Sequence, residues 1–214
     1  MVEPDVAYLR KCICSGLVLS PCLELGVGYK GPNNKDLIEK SGIAYFGTDI
    51  MPGEFVNYEV DFEDSAESVE RGVHHKKFGS ILGLNILEHV FDPIRVLDNV
   101  FHILRPGGTC LIITPTVWPL HDYPRDCWRI NPGFYEEYCK RRSFLMLREH
   151  FEYVGFHNVE KNIDGSGTYV LPSPSQGKFK TMVCRLIHRV FNTYGRGMLF
   201  PSHVATGVVI KKPE

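Results

Sequence analysis

The sequence lacks an apolar run long enough to span a bilayer, and it has no Cys-x-x-Cys pair. The apolar stretch from Cys12 to Leu23 follows Glu3 and Asp5 and has no cleavage site of small residues, so it does not predict a signal peptide. The cysteines are seven, an odd number, and they are scattered along the chain. This usage favours a reducing compartment, and we expect a cytoplasmic protein, soluble or peripheral to a membrane.

Acidic residues are missing from most of the C-terminal quarter. From Gly165 to Pro213 the chain has seven Lys or Arg and no Asp or Glu, although the net charge of the whole chain is −1. Seven basic residues on a chain that is acidic to neutral overall are too few for a nucleic-acid footprint, so no nucleic-acid partner is predicted. No carboxylate-rich spacing typical of a metal site stands out, and no metal is predicted.

What the chain does contain is an alternation of strand and helix signals over 214 residues, with 43% hydrophobic and 23% charged residues. The clearest unit begins with the near-continuous apolar run Phe78–Asn85. Asp92 and Pro93 then predict a helix N-terminus, and Arg105–Gly108 ends that helix before the next strand. Repeated units of this kind predict an α/β fold: a Rossmann-like, doubly wound, mostly parallel seven-stranded sheet with helices on both faces.

The pattern predicts one domain in four parts. These are a leading helical segment (1–20), a core (21–164), an insertion with a basic amphipathic helix at 178–191 (165–203) and a final strand (203–212). The strands are predicted at Pro21–Leu25, Ile43–Asp49, Phe55–Asp61, Phe78–Asn85, Cys110–Thr114, Phe156–Ile163 and His203–Lys211. A helix is predicted over Asn33–Lys40, with an Asn as its N-cap, and another from Asn131 to about Tyr153.

A glycine-spaced turn follows the first predicted strand. Gly26 and Gly28 allow backbone torsions that other residues avoid and let a ligand approach the main chain. Glu24 can accept a hydrogen bond from a ligand, and Asp49, 21 residues beyond Gly28, ends the second strand. In a doubly wound sheet, a carboxylate there meets ribose hydroxyls, although Asp49 could instead cap a turn. The turn is therefore predicted to bind a nucleotide.

Five motifs in order carry a resemblance over about residues 20–164. They are Glu24–Gly28, Thr48–Ile50, Val60–Asp64, Asn85 with Leu87-Glu88-His89-Val90, and Leu104–Gly108. With them the chain resembles the class I S-adenosylmethionine-dependent methyltransferases, closest to the type 11-like subgroup. The segment His121–Arg129 also looks like a loop of family members associated with glycan and secondary-metabolite clusters.

The resemblance implies S-adenosylmethionine as cofactor and gives the matching positions roles in binding it. Glu24 and the backbone of Gly26 and Gly28 would hold its methionine end, and Asn85 would line the methionyl side. The remaining positions would bind the nucleoside: Asp49 the ribose hydroxyls, Ile50 the adenine face, Asp61 the adenine amino group and the Phe62 amide the adenine edge.

One departure from the family pattern keeps a second enzyme class open. The chain has Lys30 where a third glycine is common, and Gly31 follows, so the turn also fits the dinucleotide fingerprint Gly-x-Gly-x-x-Gly. A nicotinamide-dependent oxidoreductase is the alternative. The binding of nicotinamide would leave two features without a role. These are the acidic residues at the ends of three predicted strands and the Leu87–Val90 motif that follows the fourth strand.

Methyl transfer to a hydroxyl needs an aligned acceptor and a proton acceptor. His89, His121, Asp122 and His203 are the candidate bases. His89 could instead cap its loop, and His121 and Asp122 could instead hold an irregular loop together by hydrogen bonds.

Tyr123, Trp128 and Arg129 could form a substrate wall with a cationic element, or they could bury the loop under its own aromatic rings. The helix at 178–191 could meet a membrane or a phosphorylated substrate, although packing on the core is favoured. The sequence thus predicts a methyltransferase acting on oxygen of a small-molecule or glycan acceptor. A catalytically silent methyltransferase-like binding module is the non-enzyme alternative.

Overall fold

The computed structural model of the protein describes residues 3–28, 34–118, 120, 125–154 and 204–214. The strands of these ranges are β1 (Cys22–Leu25), β2 (Tyr45–Asp49), β3 (Tyr58–Glu59), β4 (Phe78–Leu84), β5 (Leu104–Val117), β6 (Leu145–Met146), β7 (Glu152–Val154) and β8 (Val204–Lys211). The helices are α1 (Glu3–Cys14), α2 (Lys35–Glu39), α3 (Ala66–Gly72), α4 (Pro93–Ile103) and α5 (Pro132–Arg142), with a 3₁₀ turn at Arg148–His150.

All eight strands belong to one sheet, in the order β3-β2-β1-β4-β5-β8-β6, with β7 also paired to β8. Strands β1 to β5 are parallel to their neighbours, whereas β8 runs antiparallel to β5, β6 and β7. The carboxyl ends of the five parallel strands therefore meet at one edge, where sheets of this type bind ligands. The predicted α/β, doubly wound and mostly parallel sheet is confirmed.

Helices cover both faces of the sheet because its central strands are apolar on both sides. On β5, Cys110 and Ile112 pack with α3, α4 and α5, while Leu111 and Ile113 pack with α1 and α2. Each fully buried aliphatic side chain of this kind contributes roughly 1.5–3 kcal/mol. The two-sided core therefore fixes the sheet as the rigid support of its carboxyl edge.

Helix α4 forms as its sequence predicts. The Asp92 carboxylate accepts a hydrogen bond from the Arg95 N–H at 3.0 Å, and Pro93 occupies the first turn. The helix ends at Ile103, and Gly107, near the start of β5, has a φ of +71°. Because α4 starts directly after the β4 exit, its N-terminus lies at the carboxyl edge of the sheet.

Three local predictions are wrong. Helix α5 ends at Arg142 and not near Tyr153, because Ser143 takes a left-handed conformation and Phe144 turns to stack on Phe101, with ring centroids 4.0 Å apart. The third strand shrinks to Tyr58–Glu59, since Asn57 bonds with the Gly47 backbone through both its own backbone N–H and its side-chain oxygen. The fifth strand is longer than predicted, because β8 pairs with β5 as far as Val117.

Helix α2 has Asn34 at its N-cap, but the Asn34 side chain makes no capping bond. Helix α1 lies within the predicted leading segment and β8 within the predicted final strand. The predicted strand Phe156–Ile163 and the insertion 165–203 with its basic helix lie outside the described residues. Of the helices in the described ranges, none is long and apolar enough to cross a membrane.

Candidate active site

The glycine turn lies at the carboxyl end of β1 and contacts the end of β2. Gly26 and Gly28 both have positive φ angles, +63° and +68°. A Cβ atom on Gly26 would lie 2.0 Å from Ile86 Cδ1, so no side chain fits there without displacing Ile86. The Gly28 N–H donates to Asp49 Oδ2 at 3.0 Å. The structure thus brings together two motifs that are 21 residues apart in sequence.

Asp49 also makes a contact expected of its alternative role, which is to cap the turn that follows β2. Its Oδ1 accepts a hydrogen bond from the Met51 N–H at 3.0 Å. Each carboxylate oxygen can accept more than one hydrogen bond, so these two bonds leave acceptor capacity for ribose hydroxyls. Beside Asp49, the Ile50 side chain is 60% exposed and offers an apolar surface at the same edge. The ribose and adenine roles of Asp49 and Ile50 stay predictions.

Glu24 is buried at the end of β1 and has three protein donors. The Asn34 backbone N–H and side-chain amide donate to its two oxygens at 3.1 and 2.5 Å, and the Tyr45 hydroxyl donates at 2.7 Å. Burial raises the pKa of this carboxyl, and the three donors oppose the rise. Glu24 therefore ties the start of α2 to β1 and β2 across the glycine turn. A contact with a ligand through Glu24 stays a prediction.

Three further predicted cofactor positions follow β3 and β4. Asp61 is exposed, and its Oδ1 accepts from the Glu63 N–H at 2.8 Å. Phe62 is buried, and its carbonyl accepts from the Asn99 side chain at 2.9 Å. Asn85 directly follows β4 and has a φ of +58°. These contacts are structural, and the cofactor roles of the three residues stay predictions.

The N-terminal helix also reaches this edge of the sheet. Asn85 Nδ2 donates to Asp5 Oδ2 at 2.9 Å, and Asp5 is buried on α1. A carboxylate of the leading segment therefore stands directly beside the β4 exit. The sequence analysis assigned Asp5 no role, because nothing in its local pattern predicts a contact 80 residues away.

His89 braces the loop that follows β5. Its Nδ1 hydrogen-bonds to the Arg125 carbonyl, and since a carbonyl only accepts, Nδ1 carries the proton. Its Nε2 lies 3.8 Å from Glu88 Oε1. These contacts fit the loop-capping alternative for His89, and a catalytic contact stays a prediction.

Glu88 belongs to the motif Leu87–Val90, and no role was predicted for it from the sequence. It is 1% exposed, and its Oε2 has no hydrogen-bond partner among the residues that the structure describes. Burial raises the pKa of this carboxyl to about 8, the nearby Arg129 opposes the rise, and Asp126 and Asp5 add to it. The family motif Leu87–Val90 already pointed to Glu88. Only the tertiary structure reveals that its Oε2 has no partner among the described residues.

An apolar pocket of about 520 Å³ opens between the residues that start α4 and those that precede α5. Among its lining residues, Phe91 is 74% exposed, Ile94 46% and Trp128 43%. Trp128 is fixed by a hydrogen bond from its Nε1 to the Val90 carbonyl at 3.0 Å. Because α4 and α5 begin after the carboxyl ends of β4 and β5, the pocket lies on the same edge of the sheet as the glycine turn.

Arg129 lines this pocket but is paired within its own loop. Both of its terminal nitrogens bond to the Asp126 carboxylate, one of them at 2.6 Å, and its Nε donates to the Trp118 carbonyl at 3.3 Å. The ion pair raises the pKa of the Arg129 guanidinium. A contact of Arg129 or Trp128 with substrate stays a prediction.

The remaining predicted site residues, His121, Asp122, Tyr123 and His203, lie outside the described residues. Among the side chains that the structure describes, no group of three or more His, Cys, Asp or Glu could hold a metal ion.

The fold and this edge define an α/β protein of the nucleotide-binding type, with an apolar pocket on the same edge of the sheet as the glycine turn. A family model described as a methyltransferase domain matches residues 17–161, which is more than half of the chain. The chain belongs to this family and is a class I S-adenosylmethionine-dependent methyltransferase, with S-adenosylmethionine as its cofactor. The predicted family, enzyme class and cofactor are confirmed, and the oxidoreductase alternative is set aside.

Solved structures share the fold over almost the whole chain. A S-adenosylmethionine-dependent methyltransferase from Archaeoglobus fulgidus is 16% identical with a TM-score of 0.60, covering 98% of this chain and 95% of its own. A complex of the Haloferax volcanii Trm112 methyltransferase activator with a methyltransferase matches at 16% identity and a TM-score of 0.56. The match covers 97% of this chain and 89% of the other chain. A protein described as a sarcosine dimethylglycine methyltransferase, from Galdieria sulphuraria, is 14% identical with a TM-score of 0.56. The match covers 98% of this chain and 84% of the other chain. No curated protein matches the sequence.

The residues of this edge fit the cofactor on two observations. The backbone at Gly26 and Gly28 carries no side chain and has positive φ, so a ligand can approach the main chain there. The Asp49 carboxylate at the end of β2 retains acceptor capacity next to the exposed Ile50. A bare turn, an acceptor for hydroxyls and an apolar surface are what a nucleoside with an attached amino acid requires.

Proposed function

We propose that the protein transfers the methyl group of S-adenosylmethionine to an oxygen atom of a small molecule or sugar. The observation that carries the proposal is the hydrogen bond from the Gly28 N–H to Asp49 Oδ2, on the same sheet edge as the apolar pocket. The cofactor supplies an electrophilic methyl group on a sulfonium. What this chain must supply is a fixed cofactor, a fixed acceptor and a path for one proton.

For the cofactor, the proposal uses the turn and the ends of β1 and β2. The main chain at Gly26 and Gly28 takes the methionyl part, and Asp49 accepts hydrogen bonds from the ribose hydroxyls. Glu24 acts indirectly, because its bonds to Asn34 and Tyr45 hold the far end of the turn in place. The exposed Ile50 packs on the base.

For the acceptor, the proposal uses the pocket between α4 and α5. Its exposed Phe91, Ile94 and Trp128 suit a ligand with a flat apolar face, such as an aromatic ring or the hydrophobic side of a sugar. A volume of about 520 Å³ is in the range of small-molecule sites. Oxygen is proposed as the methylated atom because titratable groups, Glu88 and His89, follow β4 at the same edge of the sheet as this pocket.

Calorimetric titration with S-adenosylmethionine, using NADH as the specificity control, tests the cofactor half. We expect Asp49→Ala to weaken S-adenosylmethionine binding by roughly 10- to 100-fold, because it removes hydrogen bonds to a charged acceptor. Asp36→Ala is the matched control, since Asp36 is an exposed carboxylate on α2 whose ion pair with Lys40 is a surface contact. Equal affinity of wild type and Asp49→Ala would contradict the proposed geometry.

A further inference from the structure

Helix α1 carries a carboxyl group on the face that packs against the sheet. The buried residues of the helix recur at helical spacing and share this face: Asp5, Tyr8, Leu9 and Cys12. The three that follow Asp5 pack in the same core cluster as Val27 of the glycine turn. Burial of a carboxyl group costs free energy unless polar groups compensate for it. Asp5 is therefore the unusual member of this face.

A partner of Asp5 is the side-chain amide of Asn85, directly after β4. Asn85 Nδ2 donates to Asp5 Oδ2 at 2.9 Å. Because an ionised carboxylate only accepts hydrogen bonds, this contact requires the nitrogen end of the amide and determines which way the amide is turned. The Asn85 backbone is held as well, since its N–H donates to the Ile113 carbonyl at 2.8 Å. The side chain of Asn85 is thus fixed in position and in orientation.

The oxygen end of the same amide, Asn85 Oδ1, remains available as an acceptor. Within the part of the chain that the structure describes, Oδ1 accepts no hydrogen bond. The oxygen and the nitrogen of an amide point in different directions from one carbon, so Oδ1 points away from Asp5. Asn85 is half-buried, so part of it is accessible. The contact with Asp5 therefore presents an oriented acceptor to the surroundings of Asn85.

These surroundings include the glycine turn. Strands β1 and β4 are paired, so Gly26 and Asn85 follow adjacent strands at the carboxyl edge. Ile86, the next residue, is so close to Gly26 that an added Cβ would lie 2.0 Å from its Cδ1. The main chain of this turn is proposed above to take the methionyl part of the cofactor, whose ammonium group is a cationic donor. An oriented oxygen with the charge of Asp5 one hydrogen bond away suits such a group.

We propose that Asp5 is a positioning residue for the cofactor: it holds the Asn85 amide so that Oδ1 accepts a hydrogen bond from the methionyl ammonium group. The inference rests on the methionyl placement in the proposed function. It gives α1 a role in cofactor recognition in addition to its packing on the sheet. Recognition of the ammonium group should then depend on Asp5, and recognition of the nucleoside should not.

Two ligands separate this role from a merely structural one. S-adenosylhomocysteine carries the ammonium group, whereas 5′-methylthioadenosine is the corresponding nucleoside thioether without the amino acid. Calorimetric titration gives the affinity of each ligand for wild type and for the variants. The difference between the two ligands measures recognition of the amino-acid part, and methylthioadenosine binding checks that each variant is folded.

The variants are Asp5→Asn, Asn85→Gly and the two combined. Asp5→Asn keeps the size of the side chain but introduces an N–H donor, so the Asn85 amide is no longer held in one orientation. Asn85→Gly removes the amide, and glycine tolerates the φ of +58° at this position. Asp36→Asn is the matched control, because Asp36 is an exposed carboxylate of α2.

We expect each single variant to bind S-adenosylhomocysteine about tenfold more weakly, since a hydrogen bond to a charged group is lost. Methylthioadenosine binding should change by less than about twofold. Because Asp5 acts through Asn85, the combined variant should bind S-adenosylhomocysteine no more weakly than Asn85→Gly alone. Asp36→Asn should bind both ligands as wild type does.

Three results would overturn the inference. One is an unchanged affinity for S-adenosylhomocysteine in either single variant. Another is an equal loss for the two ligands, including loss of all binding, which would make the contact between Asp5 and Asn85 structural. The third is additive losses in the combined variant, which would show that Asp5 does not act through Asn85. If wild type itself binds S-adenosylhomocysteine no more tightly than methylthioadenosine, the methionyl placement of the proposed function fails, and the role of Asp5 fails with it.

Discussion

Two buried glutamates at the carboxyl edge of the sheet have opposite environments. Glu24, at the end of β1, is 5% exposed and receives three hydrogen bonds. Glu88, after β4, is 1% exposed, and within the described part of the chain one of its oxygens has no partner. Burial raises the pKa of both carboxyls. At Glu24 three donors from Asn34 and Tyr45 oppose the rise, whereas at Glu88 the opposing groups are its own backbone N–H and the charge of Arg129.

The two carboxyls differ in whether other residues of the chain already fill their hydrogen-bonding capacity. A carboxylate whose acceptor capacity is filled by the chain stabilises one loop shape, as Glu24 does for the turn that leads to α2. A carboxyl with an unfilled oxygen can change its protonation or accept a new donor at little further cost. The two glutamates are the same residue type and are similarly buried, so the number of hydrogen bonds that each carboxyl accepts is what distinguishes them.

Substitution by Gln at each position should give opposite signs at high pH. The pKa of Glu88 is raised from 4.5 to about 8, so the wild type gains relative stability from this group below pH 4.5 and loses it as the pH rises to 8. At about pH 8.5 the loss amounts to roughly 4–5 kcal/mol, which Glu88→Gln avoids. Glu24→Gln should lower the free energy of unfolding by about 2 kcal/mol, because its amide NH2 replaces one carboxylate oxygen and would face one or two of the three donors.

Urea unfolding at about pH 5 and pH 8.5 measures both effects. The pH 5 values supply the baseline, since any packing cost of the amide in the Glu88→Gln variant is present at both pH values. A pH-independent difference between Glu88→Gln and wild type would contradict the incomplete bonding of Glu88. A stabilising Glu24→Gln would contradict the contrast itself.

The next largest effect concerns the glycine turn that Glu24 holds. Gly26→Ala should cost about 2–4 kcal/mol of unfolding free energy, from a left-handed φ and from the contact of its Cβ with Ile86. Gly42 is the matched control, because its φ is +77° and nothing lies within 4 Å of an added Cβ. Gly42→Ala should therefore cost only about 1 kcal/mol and leave the affinity for S-adenosylmethionine unchanged. Equal costs for the two variants would show that the turn is not closely packed against the β4 exit.

The smallest effect on stability is expected for a substitution in the apolar pocket proposed to bind the acceptor. Phe91 is 74% exposed, so Phe91→Ala should change the free energy of unfolding by less than about 0.5 kcal/mol. If Phe91 contacts the acceptor, the KM for a phenol that the enzyme methylates should rise by about tenfold, as expected from the loss of one aromatic contact. An unchanged KM would place the acceptor away from this pocket.

Much of the fold could be predicted because its signals are local. Asp92 and Pro93 start α4, the apolar run of β4 reads as a buried strand, and motif order predicts the family. The early end of α5 was missed, since the left-handed Ser143 and the stacking of Phe144 on Phe101 carry no local signal. An Asn was predicted as the N-cap of α2, but the side chain of Asn34, which occupies that position, donates to Glu24, 10 residues earlier in the chain.

The sequence alone determined the parallel core of the sheet, the family and the motifs that follow its strands, because strand periodicity, turn residues and motif spacing are properties of short segments. Only the tertiary structure decided which of these residues are paired. Glu24 receives its donors from Asn34 and Tyr45, and Glu88 has Asp5 and Asp126 as neighbours. Hydrogen bonding and charge at a buried group depend on what distant segments bring to it. For that reason the two glutamates look alike in the sequence and differ in the folded protein.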